Sequence, residues 1–133
     1  MNFSHLKKSE ILPHLKVNGE HELPDSAFER LADILERNQL NSKGFIRQRR
    51  WLVLLHSYFY YHLDVSVITD IEWQNLANDL VILQDSFPED TAQNFYDHAF
   101  LNFDGSTGFD LPADEWVIQE AQRWYPIYTG EHL

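Results

Sequence analysis

The sequence predicts an all-α protein: a small helical bundle built on an antiparallel helical hairpin, with an ordered Gly/Asp-rich loop before the last helix. Apolar residues recur at helical spacing along almost the whole chain, and strand-like alternation is nearly absent. Two long helical patterns flank the short segment DVSVI, so these helices are expected to pack antiparallel. With 133 residues, 44% of them hydrophobic, the chain is long enough for one globular unit with its own core.

The N-terminal part, residues 1–43, is expected to be a helical extension. The segment SHLKKSEILPHL has apolar residues at rough helical spacing, with Ser4 as a candidate N-cap. In DSAFERLADILERNQL, Ser26 and Glu29 have the spacing of a capping box and are followed by an apolar stripe, which predicts a second helix. The pattern breaks near Gly44.

Residues 44–133 are expected to complete one compact unit, centred on the hairpin. Its first helix is predicted from about Phe45 to Leu63, with an apolar band wide enough to contact more than one neighbour. Thr69 and Glu72 form another capping box, which opens the helix TDIEWQNLANDLVILQDSF. Pro88 is expected to end that helix.

Three segments follow the hairpin. The stretch EDTAQNFYDHAF predicts a short acidic helix. The stretch LNFDGSTGFDLPAD holds two glycines, one proline and three aspartates, which predicts an ordered loop. The stretch DEWVIQEAQRWY predicts the last helix, closed by Pro126.

Charge is distributed unevenly along the chain. Residues 1–50 hold nine Lys and Arg against seven Asp and Glu, a balance of +2, whereas residues 51–133 hold one base against fourteen acids, a balance of −13. The one basic concentration is Arg47, Arg49 and Arg50. A surface this acidic repels phosphate backbones, and direct nucleic-acid binding is therefore not expected. The same surface attracts basic protein surfaces. The alternative explanation of the acidity is that it only keeps the protein soluble.

The sequence shows no catalytic, cofactor or metal motif. It has no cysteine, no phosphate-binding glycine loop and no nucleophile elbow, and its histidines lack ligand spacing. His56 and His62 are expected at a wet helix surface. Asp104 and Asp110 could serve acid–base chemistry or hold a hard cation, but aspartates beside glycines more often form turns. We therefore expect a non-enzymatic, metal-free, cytoplasmic protein without a membrane-spanning segment.

The stretch HSYFYYHLDVSVITDIEW carries the pattern H-x-Y-x-Y-x-x-x-D-x-x-x-I-x-D-x-E-aromatic. It resembles the N-terminal helical (Ia) domain of bacterial NAD-dependent DNA ligases, which holds the nicotinamide mononucleotide half of NAD. The resemblance implies that five residues contact such a nucleotide: Tyr60, Tyr61, Asp70, Trp73 and Gln74. The nicotinamide ring is a flat cation, which aromatic faces and a nearby carboxylate hold with ~0.5 to 2 kcal/mol per ring.

Two positions depart from the ligase pattern. Tyr61 stands where the family has a histidine, and Gln74 stands where it has an aspartate. Losing the carboxylate and the imidazole weakens the expected hold on the nucleotide. Arg47, Arg49 or Arg50 would compensate at a phosphate if the fold turned them toward the site.

The same positions also have a structural interpretation, and ligation is not expected. Tyr60 and Trp73 could seal the core of the hairpin while Asp70 caps a helix. The ligase reaction requires a lysine nucleophile in a KxDG motif and a nucleotidyltransferase domain. The chain is too short for that domain, and its nearest match, NxDG at residues 102–105, has asparagine in place of the lysine.

The wider layout resembles small proteins of phages and prophages of Gram-positive bacteria that are described as related to this ligase. The shared features are the hairpin, the loop at Phe103–Pro112 and the closing helix that starts near Trp116. Together with the acidic half, they favour an interaction or inhibitor protein, for example an anti-CRISPR protein. Its partner would be a basic protein surface, such as that of a nucleic-acid-binding host or defence enzyme. The alternative is an accessory module that binds nicotinamide mononucleotide or NAD.

Overall fold

The structure is a computed structural model that describes residues 1–19 and 22–131. In these residues the chain forms five α-helices and no β-strand, which confirms the predicted all-α class. None of these helices combines the length and apolar character that crossing a bilayer requires. The helices are α1 (Lys8–Ile11), α2 (Asp25–Arg37), α3 (Ser42–His62), α4 (Asp70–Ser86) and α5 (Glu115–Thr129), with 3₁₀ turns at Leu12–His14 and Pro88–Asp90.

Local capping sets where both hairpin helices begin. The side chain of Asn41 accepts a hydrogen bond from the backbone N of Gly44 at 2.8 Å and caps α3. At α4, Thr69 Oγ1 accepts from the backbone N of Glu72, and Glu72 Oε1 accepts from the backbone N of Thr69, both at 3.1 Å. This confirms the predicted Thr69 and Glu72 capping box.

Long-range side-chain contacts show that α3 and α4 are antiparallel, as predicted. Trp73, near the start of α4, contacts Ser57, near the end of α3, whereas Arg49 in the first half of α3 pairs with Asp79 further along α4. Asp79 is 1% exposed and also accepts from Arg30 of α2 at 2.7 Å. Asp79 therefore pairs with both Arg30 and Arg49, and this ion-pair network attaches α2 to the hairpin.

The main apolar core includes residues from both sides of the predicted 43/44 boundary. Position 43 lies in the first turn of α3. One cluster of buried side chains combines the N-terminal segment with the hairpin: Phe3, Ile11, Leu31, Phe45 and Leu83 are among its members. A second cluster joins α5 to α3 through Phe59 and Tyr125.

Residues 89–100 do not form the predicted short α-helix. After the 3₁₀ turn that ends at Asp90, residues 91–102 make a series of bends and turns around Arg50, whose side chain is 1% exposed. Arg50 Nη2 donates to the carbonyl of Thr91 at 3.0 Å, and Nη1 donates to the carbonyl of Phe95 at 2.9 Å and to Asp97 Oδ1 at 2.7 Å. A buried cation with several acceptors within reach draws these carbonyls away from helical pairing.

Asp97 replaces the missing helical hydrogen bonds of the same segment. Its carboxylate accepts from the backbone amides of Gln93, Asn94 and Phe95. Burial raises the pKa of Asp97, but Arg50 and these amides together outweigh burial and hold the pKa below its usual value. Asn94 and Tyr96 have φ of 55° and 56°, which a helix does not allow.

The N-terminal helices differ from their predicted starts. Ser26 and Glu29 do not form a capping box, because the N-cap lies two residues earlier, at Pro24, whose carbonyl accepts from the backbone N of Ala27 at 2.9 Å. The first helix begins at Lys8, so Ser4 is not its N-cap.

The prediction that Pro126 closes α5 is wrong, because Pro126 lies inside the helix. The helix runs to Thr129 and ends at Gly130, which has φ of 75° and donates from its backbone N to the carbonyl of Pro126 at 2.7 Å. Proline deprives the carbonyl of Gln122 of its helical partner. Gln122 is exposed, so water can serve that carbonyl, and the helix continues for one more turn.

Candidate functional site: a pocket at the end of the hairpin

A pocket of about 180 Å³ opens where α3 turns into α4. Its walls are the last turns of α3, the connection at residues 65–69, the first turn of α4 and the loop at residues 106–107. The structure brings all five residues that the ligase resemblance implied to this pocket: Tyr60, Tyr61, Asp70, Trp73 and Gln74 line it. His56 and Ser57 line it as well.

Trp73 forms a wall whose position is set by a contact between the hairpin and the loop. Its Nε1 donates to Ser57 Oγ at 3.1 Å. Gly108 passes so close that a Cβ at this position would lie 2.1 Å from Ser57 Oγ and 3.2 Å from Trp73 Cζ2. Only glycine therefore fits where the loop crosses the hairpin. The sequence signal for this crossing is the GSTGF stretch, residues 105–109, which predicts an ordered loop but not its contact with the hairpin.

The two residues that depart from the ligase pattern anchor the loop. Gln74 Nε2 donates to the carbonyl of Gly105 at 3.0 Å. The hydroxyl of Tyr61 hydrogen-bonds with Thr107 Oγ1 at 3.0 Å. An ionised aspartate at position 74 would have no hydrogen to donate to that carbonyl.

Exposed aromatic rings form the rim of the pocket. Tyr60 is 50% exposed and Tyr61 is 40% exposed, and their rings meet edge to face with centroids 4.8 Å apart. Phe109, 65% exposed, meets the other side of Tyr61 at 5.5 Å. The expectation that Tyr60 seals the core is therefore wrong, whereas Trp73 does pack against the main cluster. The capping residue of α4 is Thr69, not Asp70.

His56 is buried, which corrects the expectation that it lies at a wet helix surface. It is 5% exposed, contacts the rings of Phe59 and Tyr128, and has no hydrogen-bond partner at Nδ1. Burial lowers the pKa of His56 to about 4, although the charge of Glu72 acts in the opposite direction. His56 is therefore uncharged at neutral pH. His62, in contrast, is exposed and stacks on Tyr58.

The arginines of α3 do not reach the pocket, so they do not compensate for the missing polar groups. Arg49 pairs with Asp79, and Arg50 holds the segment around Asp97. Arg47 lies over the ring of Phe95 with 4.0 Å between Cζ and the ring centroid. No Lys or Arg is among the residues that line the pocket.

The remaining candidates for acid–base chemistry or cation binding, Asp104 and Asp110, lie in the loop before α5. Asp104 Oδ1 accepts hydrogen bonds from the backbone N and the hydroxyl of Ser106, the arrangement of an Asx turn. Asp110 lies outside the lining of this pocket, in a second depression that shares Ser106 and Thr107 with it. Across residues 1–19 and 22–131, no group of three or more His, Asp or Glu side chains could hold a metal ion.

Comparisons of the chain with protein-family models, with curated proteins and with solved structures found no match. The fold and the site therefore define a class by geometry alone: an all-α protein with an aromatic, acid-flanked pocket at the end of a helical hairpin.

Proposed function

We propose that this protein is a non-enzymatic, phage- or prophage-type binding protein that acts in the host cytoplasm on a basic surface of a partner protein, as an inhibitor or interaction protein of the anti-defence kind. The observation that carries the proposal is that most of the basic cluster of α3 is not available at the surface. Arg49 and Arg50 are buried and paired inside the molecule. Buried in this way, they add little positive charge to the surface. Residues 51–133 hold fourteen acids against one base, and the field of such a segment favours a cationic partner.

The test is salt-dependent binding to a basic nucleic-acid-binding enzyme, for which we choose a guide-loaded CRISPR nuclease. Raising the salt from about 0.1 M to about 1 M shortens the Debye length from about 10 Å to about 3 Å. The proposal expects binding that weakens sharply over this range and that competes with target DNA for the nuclease. Binding that is indifferent to salt would contradict an electrostatic mode of action.

A second candidate is binding of a nicotinamide nucleotide, which the placement of Tyr60, Tyr61, Asp70, Trp73 and Gln74 in one pocket favours. Aromatic walls and the Asp70 carboxylate suit the pyridinium ring. The pocket contributes no Lys or Arg for the phosphate, so the nucleoside form should bind at least as well as the nucleotide. Calorimetry with nicotinamide riboside, nicotinamide mononucleotide and NAD tests this candidate, and no heat at millimolar ligand would end it.

A further inference from the structure

The mouth of the pocket carries negative charge that nothing in its lining offsets. Asp70 lines the pocket, and Glu72 follows in the same helical turn. The N-terminus of α4 contributes only roughly half a positive charge, which two carboxylates outweigh. His56, the only imidazole in the lining, is neutral at neutral pH. The site is therefore suited to a cation and unsuited to a phosphate.

The size of the pocket limits what can enter. Its volume of about 180 Å³ lies below the range of roughly 300 to 1,000 Å³ that is typical of small-molecule sites. One planar group fits, whereas the second half of a dinucleotide would have to remain outside.

The aromatic rim has the composition of a protein interface. Tyr60, Tyr61 and Phe109 keep between 40% and 65% of their surface exposed although they contact one another. Tyrosine and phenylalanine are enriched where proteins dock, because they bury a large area and lose little conformational freedom. The Thr107 contact holds Tyr61 in place before any ligand arrives.

From these three features we infer that the pocket receives an arginine side chain of the basic partner protein, with the guanidinium between Tyr60 and Trp73 and the Asp70 carboxylate as its counter-charge. A guanidinium is planar, weakly hydrated and able to stack on aromatic rings and to pair with a carboxylate through two hydrogen bonds. A lysine ammonium is strongly hydrated and cannot stack in this way. The inference rests on the proposed action against a basic protein surface and names the group that is recognised.

The probe is a pair of peptides of equal charge and length, tetra-arginine and tetra-lysine. The tetra-arginine peptide should bind roughly five-fold more tightly, the ratio expected for cation stacking combined with a paired carboxylate. It should also shift the NMR signal of the Trp73 indole N–H. 1-Methylnicotinamide, a flat pyridinium cation without phosphate, should displace it.

Two variants that remove the same charge separate the pocket from the general acidic field. Asp70→Asn changes a residue in the pocket, and Asp110→Asn changes an exposed acid of the loop that does not line it. Asp70→Asn should lower tetra-arginine affinity several-fold more than Asp110→Asn does, while both leave the melting temperature nearly unchanged.

The outcomes distinguish the inference from the proposed function. Salt-sensitive binding of both peptides with equal affinity, and equally weakened by the two variants, would overturn arginine recognition and leave the acidic binding role standing. No binding of either peptide at low salt would overturn both.

Discussion

The side chain of Gln74 donates a hydrogen bond to the backbone carbonyl of Gly105, with 3.0 Å between Nε2 and the oxygen. A similar link joins Tyr61 to Thr107 across the mouth of the same pocket. Both positions are those at which the hairpin departs from the ligase pattern. The departures therefore coincide with contacts to the GSTGF loop, a segment outside the ligase-like stretch, and they have a structural reason within this chain.

Replacing Gln74 by Glu should release the loop. The carboxylate keeps the length of the side chain but removes the donor and places negative charge against the Gly105 carbonyl, so we expect a loss of about 1 kcal/mol in the free energy of unfolding. Faster amide exchange at residues 104–108 is the more direct readout. Gln122→Glu, at an exposed site on α5, adds the same charge and is the control. Equal effects of the two substitutions would exclude a specific anchoring role for Gln74.

Gly108→Ala should displace the loop from the hairpin. The added Cβ would meet Ser57 Oγ at 2.1 Å and Ser57 Cβ at 2.8 Å, so the backbone has to move, at a cost of about 1 to 3 kcal/mol. The indole N–H signal of Trp73 should shift because its acceptor is Ser57. Gly130→Ala, which meets no atom within 4 Å, should cost about 1 kcal/mol through its positive φ alone and leave that signal in place.

Arg50→Met should unfold the segment at residues 91–97 or the whole domain. The substitution leaves the carbonyls of Thr91 and Phe95 and the partly exposed carboxylate of Asp97 without their donor, which costs about 3 kcal/mol. Arg47→Met, three residues earlier and exposed, removes only a cation–π contact and should cost about 0.5 to 1 kcal/mol. Urea denaturation compares the two. Similar losses would mean that Arg50 does not organise the segment.

The free energy of unfolding should decrease as the pH is lowered from 6.5 to 4, because of His56. Its pKa is about 4 in the folded protein against 6.5 for an ordinary histidine, so in this window the unfolded chain takes up a proton that the folded chain does not. Protonation therefore favours unfolding, and the full difference amounts to about 3 kcal/mol. The titratable groups near the imidazole are Glu72 and Tyr128. The negative charge of Glu72 favours the protonated imidazole and so reduces the loss of stability.

Thermal melts across this pH range, compared with those of His56→Leu, isolate the contribution from that of the carboxylates. The Leu variant should lose the His56 part of the slope, whereas His62→Leu, at an exposed position, should keep it. An unchanged slope in His56→Leu would show that the buried imidazole is not its source.

Features that depend on neighbouring residues were predictable from the sequence. The Thr69 and Glu72 capping box forms as predicted because its two hydrogen bonds join residues three apart. The same signature at Ser26 and Glu29 fails, because Pro24, already extended, supplies the N-cap two residues before Ser26. Local patterns thus predict that a helix exists more reliably than where it begins.

The sequence by itself determined the helical class, the antiparallel hairpin and, through its motif, the five residues that now line one pocket. Only the tertiary structure decided that Arg49 and Arg50 of α3 turn inward, that residues 91–102 wrap around Arg50, and that the glycine loop closes over Trp73. The reason is physical. Capping and amphipathic periodicity involve residues within one or two helical turns, whereas these three outcomes depend on contacts between groups that lie 30 or more residues apart. Such partners meet only once the core has formed.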